Sequence, residues 1–230
     1  MKKVQCLICG KPIRYSKSQE EKVCSICGKT FLSNASCEDG HFVCDNCHRQ
    51  DGVDRIRRIC TRTQSKNPIS IIRTIMEEPS IYMHGPEHHI MVAASLLAAY
   101  KNCGGKTSFS SDLEEIVRRG SMVAGGFCGF WGCCGAAVSC GIFLSVITET
   151  TPLSVEEQAT AQKGTAAALE QIAAWGSPRC CKRNSFTAIL TMIRYVKETL
   201  GISMEGENPI CNFFLYNAEC IGKRCPFYPR

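Results

Sequence analysis

The chain opens without an apolar leader: Met1-Lys2-Lys3 runs almost at once into a cysteine pair, so nothing there reads as a signal peptide. It lacks a nucleotide-binding glycine loop, a Ser-His-Asp pattern and a paired-carboxylate signature. These gaps remove the sequence support for nucleotide-dependent, serine-hydrolase and glycosidase chemistry. Strand-like alternation is almost missing between residues 67 and 203. Charge is not extreme either: 21% charged residues, 44% hydrophobic residues and a net charge of +6 describe an ordinary globular protein of 230 residues.

Cysteine is what the chain has in excess, with 18 residues. A chain of this length buries enough core to do without disulfide staples. In a reducing cytoplasm such thiols are expected to be metal ligands or redox groups, and their number suits an anaerobe. A cytoplasmic location is the expectation.

The first 65 residues read as a double metal module. Cys6-Leu7-Ile8-Cys9-Gly10-Lys11 and Cys24-Ser25-Ile26-Cys27-Gly28-Lys29 are near copies of one knuckle. Cys37, His41, Cys44 and Cys47 follow, which makes eight soft ligands and two tetrahedral zinc sites. One pairing is interleaved: Cys24/Cys27 with Cys44/Cys47 at the start of a helix over about 45–62, in treble-clef fashion, and Cys6/Cys9 with Cys37/His41. The rival is a ribbon pairing Cys6/Cys9 with Cys24/Cys27, which leaves the other four as the second site. Spacing leaves both open. A segment so poor in apolar residues draws its folding energy from the ions.

Residues 66–205 read as an α-helical domain. Asn67-Pro68 opens a helix over 68–78, and Gly85-Pro86 opens one to about Asn102. Capping boxes at Ser111–Glu114 and Ser154–Glu157 predict helices to about 121 and to Trp175. The last begins at Asn184 or Ser185 and stops at Gly201.

Three segments of this domain carry candidate chemistry. His84-Gly-Pro-Glu87-His88-His89 gathers histidines and a carboxylate at a helix start. There His84 and His88 could complete a metal sphere or move protons, with Glu87 orienting them. In Arg179-Cys180-Cys181-Lys182-Arg183, the helix dipole and flanking cations should favour thiolate, so Cys180 and Cys181 join Cys134 as candidate reactive thiols. The uncharged run from Met122 to Thr148 is long enough to span a bilayer. Its glycines and cytosolic-looking flanks instead favour a loop carrying Cys128, Cys133 and Cys134, followed by a buried helix from about Cys134 to Ile147. Residues 206–230 form a cysteine-rich tail in which Cys211, Cys220 and Cys225 are one ligand short of a complete set. Cys60, Cys103 and Cys140 read as packed small hydrophobes.

NASCEDGHFVCDNCH, MHGPEHH, GFWGCCGA and GSPRCCKR, with the cysteine-rich tail, resemble a domain-of-unknown-function family of anaerobic archaea and bacteria. Its members occur alone or fused to radical-SAM or methyltransferase-type domains. The resemblance covers nearly the whole chain and implies no established activity. More distantly, the glycine run into Cys134-Gly135 is similar to redox-active proteins named for a C-GCAxxG-C-C pattern, although GFCGFWGCCGA departs from it.

The expected protein is therefore mainly α: a zinc-finger-like treble-clef or ribbon module, a helical domain and a tail. Its expected cofactors are two zinc ions and an iron–sulfur cluster, the latter on Cys128, Cys133, Cys134, Cys180, Cys211, Cys220 and Cys225. Its expected role is redox or sulfur handling, with a redox or sulfur donor as partner and no membrane. The competing role is a zinc-finger adaptor for a protein or for nucleic acid bound through Arg55, Arg57, Arg58, Arg62 and Lys66.

Overall fold

A computed structural model describes residues 6–176 and 178–230. The amino-terminal part is an antiparallel ribbon of β1 (Ile13–Val23) and β2 (Thr30–Cys37), with Ile13 opposite Cys37 and Val23 opposite Thr30. The two CxxCGK copies fold alike. Gly10 and Gly28 both adopt positive φ, at 75° and 70°, and return their amides to the carbonyls of Cys6 and Cys24, 2.9 Å in each case. An L side chain resists that backbone, which explains the glycine at both positions. From Cys6 to Val43 the only buried side chains are Cys6, Cys24 and Cys37. The ribbon has no apolar core of its own.

Eight α-helices follow among the described residues: α1 (Asp45–Arg62), α2 (Pro68–Met76), α3 (His88–Asn102), α4 (Phe109–Ser121), the single-turn α5 (Phe127–Phe130), α6 (Gly135–Ile147), α7 (Glu156–Ala174) and α8 (Cys181–Leu200). The tail carries two 3-10 turns, Phe214–Tyr216 and Gly222–Arg224. Helix α3 is the axis of the bundle. Its IMVAASLLAA run is apolar on every face and is buried throughout, as befits a helix surrounded by others. It packs against α1, α2, α4, α6 and α8. Helix α1 joins the two parts: its first turn follows the ligand Cys44, while Val53, Ile56 and Cys60 enter the helical core. No helix of the described residues is long and apolar enough to cross a membrane.

The expected punctuation holds at Asn67, whose side chain accepts from the Ile69 amide (2.9 Å), and at Gly201, with φ of 71°. It fails at both capping boxes. Helix α4 starts at Phe109, ahead of Ser111, whose hydroxyl donates instead to the Ser108 carbonyl (2.8 Å). Helix α7 starts at Glu156, and the Ser154 oxygen is engaged by the Thr151 amide (3.0 Å). In each case a local serine turn satisfies the hydroxyl and displaces the cap. Helix α8 starts at Cys181, three residues before Asn184, because the Cys180 sulfur accepts from the Arg183 amide (3.4 Å) and acts as the N-cap.

Candidate metal centres and a thiol-lined cleft

Two ligand groups form along the ribbon and the start of α1, Cys6/Cys9/Cys37/His41 and Cys24/Cys27/Cys44/Cys47. Within each, one ligand atom per residue lies within 4.8 Å of the others. The Cys9 and Cys37 sulfurs are 3.7 Å apart, those of Cys27 and Cys44 are 3.9 Å apart, and Cys37 Sγ is 3.5 Å from His41 Nδ1. A tetrahedral ion with 2.3 Å metal–sulfur bonds requires sulfurs about 3.8 Å apart. The donor sets therefore fit a metal such as zinc, and the grouping is the interleaved one. The alternative grouping of Cys6/Cys9 with Cys24/Cys27 does not form, because the ribbon's length separates the two knuckles.

Thiol electrostatics in these groups are those of ligands crowded together. Burial raises the Cys24 thiol, but the amides of Cys27, Cys44 and Ile26 outweigh it and bring it down to about 6. Burial and the Cys44 neighbour push Cys47 up to about 12. Burial and the favoured Cys24 thiolate together raise the Cys44 and Cys47 thiols, a conflict that a divalent ion relieves.

A cleft of about 200 Å³ separates the ribbon from the helical domain. Tyr15 forms part of its ribbon wall, and His84, His89, Cys128, Arg179 and Cys181 line the opposite side. The three histidines fan apart. His84 Nε2 reaches Asn217 Oδ1 (3.2 Å) and Glu219 Oε2 (3.3 Å) in the tail. His88 Nδ1 donates to the Gly85 carbonyl (3.0 Å), and His89 Nδ1 donates to that of Val123 (2.9 Å). Burial lowers the pKa of all three; Arg179 adds to this at His84 and Lys182 at His88. Glu87 is fully buried, 3.5 Å from His88 and 3.6 Å from His48, and neither of its oxygens accepts a hydrogen bond.

The glycine stretch makes room for this histidine group. A Cβ on Gly135 would collide with the His89 ring, so the start of α6 can approach α3 only as glycine. Gly125 donates to Asp45 at the start of α1 (2.8 Å) and so ties the glycine loop to the metal module.

The expected thiol set divides between separate chambers. Cys128 and Cys181 face the cleft. Cys134 lines an adjoining hollow with Cys128 and Arg179, and its sulfur accepts from the Asn184 amide group (3.4 Å). Cys133 lines none of these spaces. Cys180 turns the other way and joins Cys211, Cys220 and Cys225 around a cavity under the tail. Burial also overrides the expected thiolate character. Cys181 is pushed up to about 12 despite Arg179, and Cys180 and Cys134 are raised as well. Desolvation at these sites exceeds what the cations and the helix terminus return. Cys60 and Cys140 are core residues, as expected, and Cys103 packs at the core's edge.

His48 and Tyr15 are cleft residues that the motifs did not single out. The available signal for His48 was its position beside Cys47 on a helix beginning at 45. Part of the basic run is paired: Arg57 with Glu114 (2.8 Å), while Arg55 and Arg58 share Glu78 (3.5 and 2.9 Å).

No curated protein and no solved structure matches the chain. Residues 56–228 match a family described as a family of unknown function, DUF5714. That span holds the cleft thiols, the histidine group and the tail cavity, and it excludes the eight ribbon ligands. By that match over most of its length, the chain belongs to the DUF5714 family.

Proposed function

We propose that this protein handles sulfur or electrons at the cleft thiols Cys128 and Cys181, with two zinc ions holding the ribbon in place as the cleft's second wall. The observation that carries this reading is the convergence of those two thiols with Arg179 and His84 on one cleft. Zinc is favoured in the ribbon because one ligand set is three cysteines with a histidine and the other is four cysteines, both at single-ion spacing. Arg55 and Arg58 share Glu78 and Arg57 pairs with Glu114, which reduces the charge that this run offers to phosphates and makes nucleic acid the less favoured partner.

In this reading Arg179 draws a soft sulfur anion into the cleft. A cleft thiol gives up its proton and attacks a polysulfide. One sulfur–sulfur bond forms on the protein, one breaks in the polysulfide, and the shortened chain departs carrying the proton. The arginine offsets the charge of the attacking sulfur. The test is anaerobic incubation of the zinc-loaded protein with inorganic polysulfide, followed by mass spectrometry. Sulfur should accumulate on Cys128 or Cys181 well ahead of Cys103, and Cys181→Ser should abolish or relocate it. Equal labelling of Cys103 and the cleft thiols would sink the proposal.

A further inference from the structure

Under the tail, four cysteines from two distant segments surround one cavity: Cys180 at the cap of α8, and Cys211, Cys220 and Cys225 from the last twenty residues. Its free space is about 20 Å³, room for one water-sized body. An organic molecule does not fit such a space. A metal group does, because it bonds to the lining sulfurs at about 2.3 Å instead of resting at van der Waals distance.

Backbone amides already point at the sulfurs. Arg183 N–H donates to Cys180, Phe213 N–H to Cys211 and Gly222 N–H to Cys220, each at 3.4 Å. The ribbon's Cys6 sulfur receives the same kind of amide, from Ile8 at 3.4 Å. Such donors stabilise bound thiolates. Each ribbon group gathers within 4.8 Å, a closeness that the quartet's sulfurs do not reach. One zinc ion holds sulfurs about 3.8 Å apart, whereas a four-iron cluster holds them roughly 6 Å apart.

A second, independent observation is Lys182. Its side chain is fully buried, its ammonium has no hydrogen-bond partner, and it sits 5.0 Å from the ring of Phe213, a residue that lines the cavity. An unpartnered cation is costly to bury. Glu87 is the carboxylate that most favours the Lys182 charge, and the Cys180 and Cys211 sulfurs add to that; a cluster with four thiolates carries net negative charge and adds a further counterion on the tail side.

We infer that Cys180, Cys211, Cys220 and Cys225 bind a [4Fe–4S] cluster whose charge Lys182 offsets. The inference deepens the proposed redox reading, but its test reads iron in the tail and not sulfur on the cleft thiols. The two can therefore fail separately.

The test is anaerobic reconstitution of the full chain with ferrous iron and sulfide, followed by metal and sulfide analysis and by EPR before and after dithionite. About four irons and four sulfides per chain should bind in addition to zinc, with a reduced-state signal from a one-electron cluster. Cys211→Ser and Cys225→Ser should lose at least half of the iron, while Cys103→Ser keeps all of it. Lys182→Met should retain the cluster and lower its reduction potential, because a cation that favours the reduced, more negative state has gone. Should a cysteine variant misfold by circular dichroism, the Lys182→Met potential decides. One zinc and no iron in the tail, full iron in Cys211→Ser and Cys225→Ser, or an unmoved potential in Lys182→Met overturns the assignment.

Discussion

Metal removal should unfold the ribbon and spare the helical domain. Between Cys6 and Val43 every buried side chain is a candidate metal ligand, and exposed hydrophobics such as Leu32, at 65%, contribute little. Ordering each of these residues costs about 1–2 kcal/mol, and the ribbon has no core to offset that. Structural zinc contributes about 10–16 kcal/mol per site in small zinc domains, as much as the net stability of a whole domain. The helical domain rests instead on residues such as Ile56, Ile72, Met91, Leu97 and Phe143, all at 0% exposure. Each is worth about 1.5–3 kcal/mol of burial, and none depends on an ion.

The assay is amide hydrogen exchange under reducing, anaerobic conditions, with and without a zinc chelator. Amides of β1, β2 and the first turn of α1 should lose at least about a thousandfold in protection, since even about 4 kcal/mol corresponds to three decades. Amides from Val53 onward in α1, and those of α3 and α6, should keep theirs. Retained ribbon protection in protein shown to be zinc-free would refute the reasoning. So would simultaneous loss in α3, because the helical core would then depend on the ions.

Three further outcomes are expected. Gly135→Ala should cost about 1–3 kcal/mol in thermal or denaturant unfolding, because its Cβ enters the His89 ring, while Gly129→Ala, facing open space, should stay within about 0.5 kcal/mol. His88 has a native pKa well below 6.5, so below that pH the unfolded chain takes up a proton that the native chain refuses. Stability is then complete above pH 6.5 and falls as pH drops, by up to about 1.4 kcal/mol per unit for this residue, and His88→Gln should show a shallower slope between about pH 6 and 5 in urea titrations at matched metal content. Arg57→Ala should change stability by less than about 1 kcal/mol in the same titrations, since its pair with Glu114 is partly exposed.

What the sequence revealed and what it hid follow from the range of the interactions. The ribbon ligands were legible because a CxxCGK knuckle builds half a metal site from six consecutive residues. Asn67-Pro68 and Gly201 were legible because a cap is satisfied within one turn. The capping boxes misled because Ser108 and Thr151 offered nearer partners to the same hydroxyls. The division of the adjacent thiols between two chambers was hidden for a different reason. Cys180 and Cys181 are adjacent, and only the start of α8 decides which way each points. A helix beginning at Asn184 leaves both in a loop; one beginning at Cys181 sends them to opposite sides. The meeting of His48 with Glu87 joins α1 to the start of α3, and no local pattern encodes it.

That division at α8 bears on how the two chambers communicate. Met83 lines both the tail cavity and the cleft. The next residue, His84, faces the cleft while its ring reaches Asn217 and Glu219 of the tail. Across the same wall, Cys180 and Cys181 share a peptide bond. A charge change on the buried Cys180 side therefore acts on the neighbouring Cys181 at close range. Adding negative charge to the tail group would raise the Cys181 thiol further and strengthen the hold of Glu219 and Asn217 on a protonated His84. Removing it would ease the cleft thiol toward thiolate. The adjacent cysteines thus set the tail group and the cleft thiol at the shortest separation that two residues allow while keeping their ligands apart.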